Sequence, residues 1–256
     1  MPQDLPYRGI VALAKGAVRA LDQRIVVRGA EHLPRSGPVL IACNHISYAD
    51  FIYAGYAALP RLVRFMAKRE IFDHPVSGPV MRSMRHISVD RAQGDSSVRT
   101  AMDYLKRGEA VGIFPEATIS RAMELKEFKT GAMRIAASLK VPVVPMVVWG
   151  TQRLVTKDHP RDLTRHRPLS VDVGAPLWPT TGDAEETAEL KAVMGGLLDH
   201  AIRVYPDGRP AGAWWLPASY GGGAPTLAQA TELDAQERAQ RVARARERAA
   251  AKAAKR

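Results

Sequence analysis

A histidine and an aspartate lie five residues apart in the stretch 39–50, VLIACNHISYAD, and this pair could perform general base catalysis. The apolar run Val39–Cys43 is typical of a buried strand, so His45 is predicted at a strand end. A carboxylate at Asp50 that accepts one imidazole N–H would fix the tautomer and stabilise the imidazolium. We therefore expect His45 to be a general base that Asp50 orients, with a substrate hydroxyl as its target.

Three side chains beside His45 have more than one possible role. Asn44 and Ser47 either support the histidine or bond backbone groups at a strand-to-helix turn. Cys43, the only cysteine, could form a nucleophilic pair with His45, but its apolar surroundings favour a small core residue. The H-x-x-x-x-D spacing by itself is weak evidence for a catalytic pair, although none of the other six histidines has an acid at that offset.

The composition describes a basic globular protein. The 256 residues are enough for one domain with a full core, and 46% hydrophobic with 25% charged residues is ordinary. The net charge of +11 favours a polyanionic partner, which is a nucleic acid, an anionic membrane surface or a phosphorylated substrate. A single cysteine excludes an internal disulfide and fits a reducing compartment. We recognise no signal peptide and no stretch apolar enough to span a bilayer, so we expect no transmembrane segment.

Short Val- and Ile-rich runs alternate with helical patterns along the chain. We predict strands at 24–29, 39–43, 62–67, 86–91, 110–114, 141–149 and 169–173, and helices at 51–58, 96–107, 132–139 and 185–205. This alternation predicts an α/β fold with a mostly parallel central sheet flanked by helices. In such a fold the functional site lies beyond the carboxyl ends of the strands, where the polar residues of this chain also gather.

The two ends of the chain differ from this pattern. Residues 1–22 contain a basic amphipathic helix, which either lies in a membrane interface or packs on its own domain. Residues 23–220 form the main domain. Residues 221–256 are predicted to be a linker and a basic Arg- and Ala-rich tail, helical or disordered.

Four sequence blocks together resemble the glycerolipid acyltransferase family. They are the NHxxxxD motif at Asn44, His45 and Asp50, then VDR at 89–91, FPEATIS at 114–120 and VPVVP at 141–145. Their order and spacing are far more specific than the first block alone. The resemblance implies that residues 23–220 are an acyltransferase domain.

The resemblance also implies a reaction and its participants. A fatty acyl chain would pass from a thioester on coenzyme A or acyl carrier protein to the free hydroxyl of 1-acylglycerol-3-phosphate, giving phosphatidic acid in phospholipid synthesis. The thioester is a co-substrate, and neither a cofactor nor a metal is required. An anionic membrane surface is the expected partner, with the protein peripheral on the cytoplasmic face of the cell membrane and no nucleic acid bound.

The resemblance suggests which residues bind the substrate. Arg91 is the first expectation for the acceptor phosphate and Lys129 the second, with Lys68 and Arg121 as further cations. Glu116 could accept a hydrogen bond from a glycerol hydroxyl, orient one of these cations or form a structural salt bridge.

Two positions depart from the family pattern. Ala117 replaces a glycine, a modest change if the backbone there has no positive φ. Ile119 replaces an arginine thought to lie near the substrate phosphate, so direct phosphate contact from this loop is in doubt.

Three alternatives stay open at the level of sequence. The same chemistry could act on glycerol-3-phosphate, on another lysophospholipid or on a glycolipid, and Ile119 is the reason to keep this alternative. The arginine-rich tail could instead bind nucleic acid, with a steep salt dependence. Water could also replace the lipid hydroxyl, which would make the protein a hydrolase.

Overall fold

A seven-stranded sheet forms the centre of the protein. The structure is a computed structural model that describes residues 4–90 and 94–253. The strands are β1 (Arg24–Arg28), β2 (Val39–Cys43), β3 (Val63–Lys68), β4 (Ile87–Val89), β5 (Ala110–Ile113), β6 (Val143–Trp149) and β7 (Pro168–Val173). Their spatial order is β1-β7-β6-β2-β5-β3-β4, and every neighbouring pair is parallel except β6 with β7. The predicted mostly parallel α/β sheet is confirmed.

Helices pack on both faces of this sheet. Within the described residues they are α1 (Leu5–Ala20), α2 (Asp50–Ala57), α3 (Arg69–Asp73), α4 (Ser77–Ser83), α5 (Gly94–Lys106), α6 (Gly131–Leu139), α7 (Ala184–Arg203) and α8 (Leu227–Ala253). The sequence pattern predicted the places of α1, α2, α5, α6 and α7, but it gave no ranges for α3 and α4 and left α8 as helical or disordered. The boundaries differ by up to a few residues, as expected where capping and tertiary contacts decide the last turn.

The central strand β2 divides the core into two layers. Its side chains alternate, so that Leu40 and Ala42 pack beneath α5, α6 and α7, whereas Ile41 and Cys43 pack towards α2. All five residues of β2 are buried, which explains why the sequence shows a continuous apolar run rather than an alternating one. Because β2 lies between β5 and β6, its carboxyl end is surrounded by the loops that follow those two strands.

The first helix packs on the domain. Tyr7 is buried and its hydroxyl donates a hydrogen bond to the carbonyl oxygen of Val63 at 2.8 Å. Just before the helix, Asp4 pairs with Arg64 at 2.6 Å and with Arg85 at 3.4 Å. These contacts fix the N-terminal end of the helix to the domain, whereas Tyr7 is the only buried residue of α1 and Leu13, 76% exposed, lies on its outer face. A role at a membrane interface stays a prediction.

The C-terminal tail is helical from Leu227 to Ala253, and residues 221–226 before it form an irregular linker. No described helix combines the length and the apolar character that crossing a bilayer demands.

Candidate active site

Three loops meet at the carboxyl ends of the central strands. β2 leads to His45, β5 leads to Glu116, and β6 leads to Thr151. Since β2 is parallel to both neighbours, its end lies beside theirs and these three side chains are brought together. The site is therefore where an α/β sheet is expected to carry one.

His45 and Asp50 form the pair that the sequence predicts. The His45 Nδ1 atom lies 3.0 Å from Asp50 Oδ2, which also accepts the backbone N–H groups of Ile46 and Ser47, both at 2.8 Å. Because this carboxylate accepts hydrogen bonds, the proton of His45 lies on Nδ1 and Nε2 is left to accept one. Asp50 is fully buried, whereas the His45 side chain is 21% exposed, so the imidazole can be reached from solvent.

Thr151 completes the support of Asp50, and sequence reasoning missed it. Its hydroxyl donates to Asp50 Oδ1 at 2.6 Å, although the two residues are 101 positions apart. Thr151 is fully buried and follows Gly150, whose φ of +94° turns the chain at the end of β6. Its position just beyond a predicted strand was the one available signal, and that signal does not name a partner.

The ring of Phe114 lies against the His45 imidazole. The two centroids are 4.1 Å apart with an interplanar angle of 23°. Phe65 stacks on Phe114 in turn, at 5.9 Å. These aromatic contacts add a fixed apolar surface on one side of the imidazole and help to hold its orientation.

Glu116 bonds the backbone of His45. One carboxylate oxygen accepts the N–H of His45 at 2.8 Å, and the other accepts the N–H of Lys126 at 3.0 Å. Glu116 is only 5% exposed, and backbone N–H groups bond both of its oxygens, so its predicted contact with a glycerol hydroxyl stays a prediction. The N–H of Ser120 donates to the carbonyl oxygen of His45 at 2.7 Å. Both backbone polar groups of His45 are thus bonded to the segment after β5.

We expect Glu116 to give the protein a measurable pH-dependent stability. Burial raises the pKa of Glu116 to about 8, although the N–H groups of Lys126 and His45 lower it. The folded state then keeps this proton between about pH 4.5 and 8, where an unfolded glutamate loses it. The free energy of unfolding therefore falls as the pH rises through this window.

Urea unfolding between pH 5 and pH 9 measures this contribution. Glu116→Gln cannot titrate and should be less stable than the natural chain at low pH, with a difference that shrinks as the pH rises. Glu232→Gln, an exposed change on α8, should leave the pH profile as it is. A constant difference between the Glu116→Gln variant and the natural chain would contradict this assignment.

Asn44 and Ser47 bond backbone groups, which was one of their two predicted roles. The side chain of Asn44 donates to the carbonyl oxygen of Val148 at 3.0 Å and accepts its N–H at 2.7 Å. Asn44 thus continues the pairing of β2 with β6 beyond the last residue of β2. The Ser47 hydroxyl donates to Val155 O at 2.6 Å and accepts the N–H of Ala49 at 3.0 Å.

Cys43 is a core residue and not a nucleophile. It is fully buried, and burial raises the pKa of its thiol well above the ordinary value. The thiolate that nucleophilic attack requires is therefore strongly disfavoured.

Ala117 has a positive φ of +57°. The replacement of the family's glycine by alanine was expected to be a modest change only without a positive φ, so it is not modest here. An L-residue in this conformation costs about 1–2 kcal/mol.

We expect Ala117→Gly to stabilise the protein by roughly 1 kcal/mol, since glycine removes this strain at some cost in unfolded-state entropy. Thermal or urea unfolding measures the change. Ala12→Gly, on the exposed side of α1, is the matched control and should destabilise by about 0.5–1 kcal/mol. No gain for Ala117→Gly would contradict the expected relief of strain.

The expected substrate-binding cations are placed very differently. Lys129 is exposed, and its backbone N–H donates to Pro115 O at 3.0 Å, which anchors it next to Glu116. Lys68 is the last residue of β3 and is half-buried. Arg91 lies outside the described residues.

Arg121 was expected to be available to bind the substrate phosphate, and the structure shows that it is not. Its side chain is only 8% exposed and pairs with Asp158, Asp234 and Glu237. Three carboxylates occupy a guanidinium that a substrate phosphate would need. Ile119, two residues earlier, is buried at 4% exposure, so it contributes packing rather than charge.

The fold and the site define a class of protein, an α/β protein that carries a His–Asp pair at the end of a central strand. A family model described as "Acyltransferase" matches residues 24–149. A 1-acyl-sn-glycerol-3-phosphate acyltransferase of Bacillus subtilis is 33% identical over 193 residues, which are 75% of this chain and 93% of that protein. The chain belongs to the acyltransferase family and is an enzyme.

Two further comparisons agree with this membership. The chloroplastic 1-acyl-sn-glycerol-3-phosphate acyltransferase BAT2 of Brassica napus is 33% identical over 161 residues, which are 61% of this chain and 46% of that protein. The crystal structure of a 1-acyl-sn-glycerophosphate acyltransferase from Thermotoga maritima has a TM-score of 0.64 and 24% identity, covering 75% of this chain and 78% of the other. The second likeness shows that the two proteins share a fold.

Proposed function

We propose that this enzyme transfers a fatty acyl chain from a thioester donor to the free hydroxyl of 1-acylglycerol-3-phosphate, which gives phosphatidic acid. The observation that carries the proposal is the His45–Asp50 pair, with Nδ1 held at 3.0 Å and the side chain of the base partly exposed. Relatives that bear this activity in their names support the choice of acceptor.

The geometry suggests how each group acts. His45 Nε2 takes the proton of the acceptor hydroxyl while the hydroxyl oxygen forms a bond to the thioester carbonyl carbon. The buried carboxylate of Asp50 stabilises the imidazolium that results. When the carbon–sulfur bond breaks, the imidazolium returns the proton to the departing thiolate. The products are an ester and a free thiol.

The acceptor phosphate requires cations near this base. Of the four expected cations, we propose Lys129 and Lys68 as phosphate ligands among the described residues. The backbone of Lys129 bonds to Pro115 in the loop after β5, and Lys68 is the last residue of β3, which pairs with β5. Arg91, from the block after β4, remains a third proposed ligand. Arg121 is not proposed, since its guanidinium is already paired.

We also propose where the enzyme works and what it needs. The donor is carried by coenzyme A or acyl carrier protein, and no metal or other cofactor takes part. The net charge of +11 suits an anionic membrane surface, on whose cytoplasmic face the enzyme would find its lipid acceptor. Nucleic acid is not a proposed partner.

A different acceptor is the second candidate, and one observation favours it. Ile119 is apolar and buried at the position where the family resemblance implies an arginine near the phosphate. The same proton transfer from His45 could therefore serve glycerol-3-phosphate, another lysophospholipid or a glycolipid.

An acceptor panel tests the proposal. Labelled palmitoyl-coenzyme A and anionic vesicles are mixed with the enzyme and 1-acylglycerol-3-phosphate, glycerol-3-phosphate, a lysophosphatidylcholine, a glycolipid or no acceptor. We expect labelled phosphatidic acid from the first mixture in clear excess over every other product. Preference for another acceptor would replace the proposed substrate, and equal release of free fatty acid with and without acceptor would indicate a hydrolase.

A further inference from the structure

A cluster of ion pairs with a buried centre joins α8 to the loops of the active site. Its cations and carboxylates come from Arg121, Lys126, Lys157, Asp158, Asp234 and Glu237, which we call the α8 ion cluster. Lys157 Nζ lies 3.2 Å from Asp234 Oδ1 and 2.9 Å from Glu237 Oε2. Three positive and three negative charges balance within these six residues, and Arg241 also pairs with Glu237, at 3.1 Å.

Asp234 is the centre of this cluster. It is only 6% exposed and contacts all three cations, which are themselves largely buried, with side-chain exposures of 8% for Arg121, 16% for Lys126 and 10% for Lys157. Removing one partner of a buried ion pair leaves an uncompensated charge, which is strongly unfavourable. The first turns of α8 are therefore fixed to the domain, unlike the exposed arginines that follow them.

One short chain of contacts runs from Asp234 to His45. The Asp234 carboxylate binds the side chain of Lys126, whose backbone N–H donates to Glu116 at 3.0 Å. Glu116 accepts the N–H of His45 at 2.8 Å through its other oxygen. Lys126 thus lies between the two carboxylates, holding Asp234 with its side chain and Glu116 with its backbone.

The other two cations lie beside the remaining supports of the His45 loop. Arg121 directly follows Ser120, whose N–H donates to the carbonyl oxygen of His45 at 2.7 Å. Lys157 directly follows Thr156, whose hydroxyl donates to Ile46 O at 2.7 Å. The α8 ion cluster therefore clamps the segments after β5 and after β6, which between them hold the backbone around the base.

We propose that Asp234 is a positioning residue for His45, so that the start of α8 is part of the catalytic unit and not a solubilising tail. This inference rests on the proposed function for its kinetic test. The family model ends at residue 149, and the sequence pattern alone describes the segment as a basic extension. The opposite interpretation is that the α8 carboxylates occupy a cation site that an anionic substrate would otherwise fill.

Asp234→Asn in the full chain tests the proposal, because it keeps the shape of the side chain and removes its charge. The matched control is Glu232→Gln, an exposed position on the same helix. Transfer kinetics are measured at a temperature where thermal unfolding shows both variants to be folded. We expect kcat to fall roughly 10- to 100-fold for Asp234→Asn, with KM for the acceptor within about twofold, since small displacements of a catalytic group have effects of this size. Asp234→Glu should restore part of the rate.

A second readout does not depend on turnover. The imidazole signals of His45, assigned by NMR with the help of His45→Ala, should shift in Asp234→Asn and stay in place in Glu232→Gln. If Asp234→Asn does not fold, Glu237→Gln replaces it, because Glu237 is a more exposed member of the cluster, at 37% of its side chain.

Two results would overturn the inference. A fall in KM for the acceptor with an unchanged kcat would show that the cluster occupies an anion site, and an unchanged kcat with unmoved His45 signals would show that it only stabilises the fold. Failure of the natural chain to acylate any acceptor would instead count against the proposed function, while the NMR comparison would still test the position of His45.

Discussion

His45→Ala should lower kcat/KM for acyl transfer by roughly 10²- to 10⁴-fold, the usual contribution of a general base. The variant lacks the imidazole that we propose takes the proton of the acceptor hydroxyl as it attacks. The His45 side chain is 21% exposed, and the hydrogen bonds of the backbone at position 45 can still form in the variant, so we expect the variant to fold. The measurement is transfer of a labelled palmitoyl group to 1-acylglycerol-3-phosphate in vesicles.

The chain offers a matched control for this variant. His166 also has a carboxylate partner, Asp22, at 2.8 Å from its Nδ1, but the His166 side chain is 60% exposed. His166→Ala should therefore keep the activity within about twofold, since an exposed pair contributes little. Equal activity of His45→Ala and the natural chain would remove His45 from the mechanism.

Asp50→Asn should lower kcat/KM by a factor comparable to that of His45→Ala, while most hydrogen bonds around His45 are preserved. An asparagine oxygen in the place of Asp50 Oδ2 can still accept the N–H groups of Ile46, Ser47 and His45. Its amide nitrogen then faces the Thr151 hydroxyl, which can rotate and accept instead of donating. The negative charge that stabilises the imidazolium is lost. Replacing the carboxylate of a Ser-His-Asp triad costs about 10⁴-fold, so we expect a fall of roughly 10²- to 10⁴-fold here.

Two comparisons separate this effect from a loss of stability. Asp172→Asn changes another buried aspartate, 2% exposed and paired with Arg28 at 3.1 Å, and should weaken folding without lowering kcat in the folded protein. Asp50→Asn added to His45→Ala should have little further effect on activity, because residues that act as one unit are not additive. Additive losses would mean that Asp50 acts independently of His45.

The sequence predicted the local parts of this enzyme well. An apolar run that ends at Asn44 and His45 is a buried strand followed by a turn whichever strands lie beside it, so β2 agrees with the prediction over residues 39–43. The spacing of five residues likewise places Asp50 within reach of His45 across a single turn. These features depend on residues close in the chain, which periodicity and turn chemistry describe.

The contacts that make the pair a site come from far along the chain. Glu116 is 71 residues from His45, Thr151 is 101 residues from Asp50, and Asp234 is 108 residues from Lys126. Nothing in a local pattern states which strand ends are neighbours, and the antiparallel pairing of β7 with β6 was not predicted either. The expected substrate roles of Glu116 and Arg121 depended on such distances, and both side chains are engaged within the protein.

The sequence by itself therefore determined the α/β class, the strand that leads to His45, and the pairing of this histidine with Asp50. Only the tertiary structure decided which groups hold that histidine, that Ala117 has a positive φ, and that α8 is tied to the active-site loops. The physical reason is that side-chain periodicity is a local property. Hydrogen bonds and buried ion pairs between distant segments depend on the order of the strands, which the folded chain alone establishes.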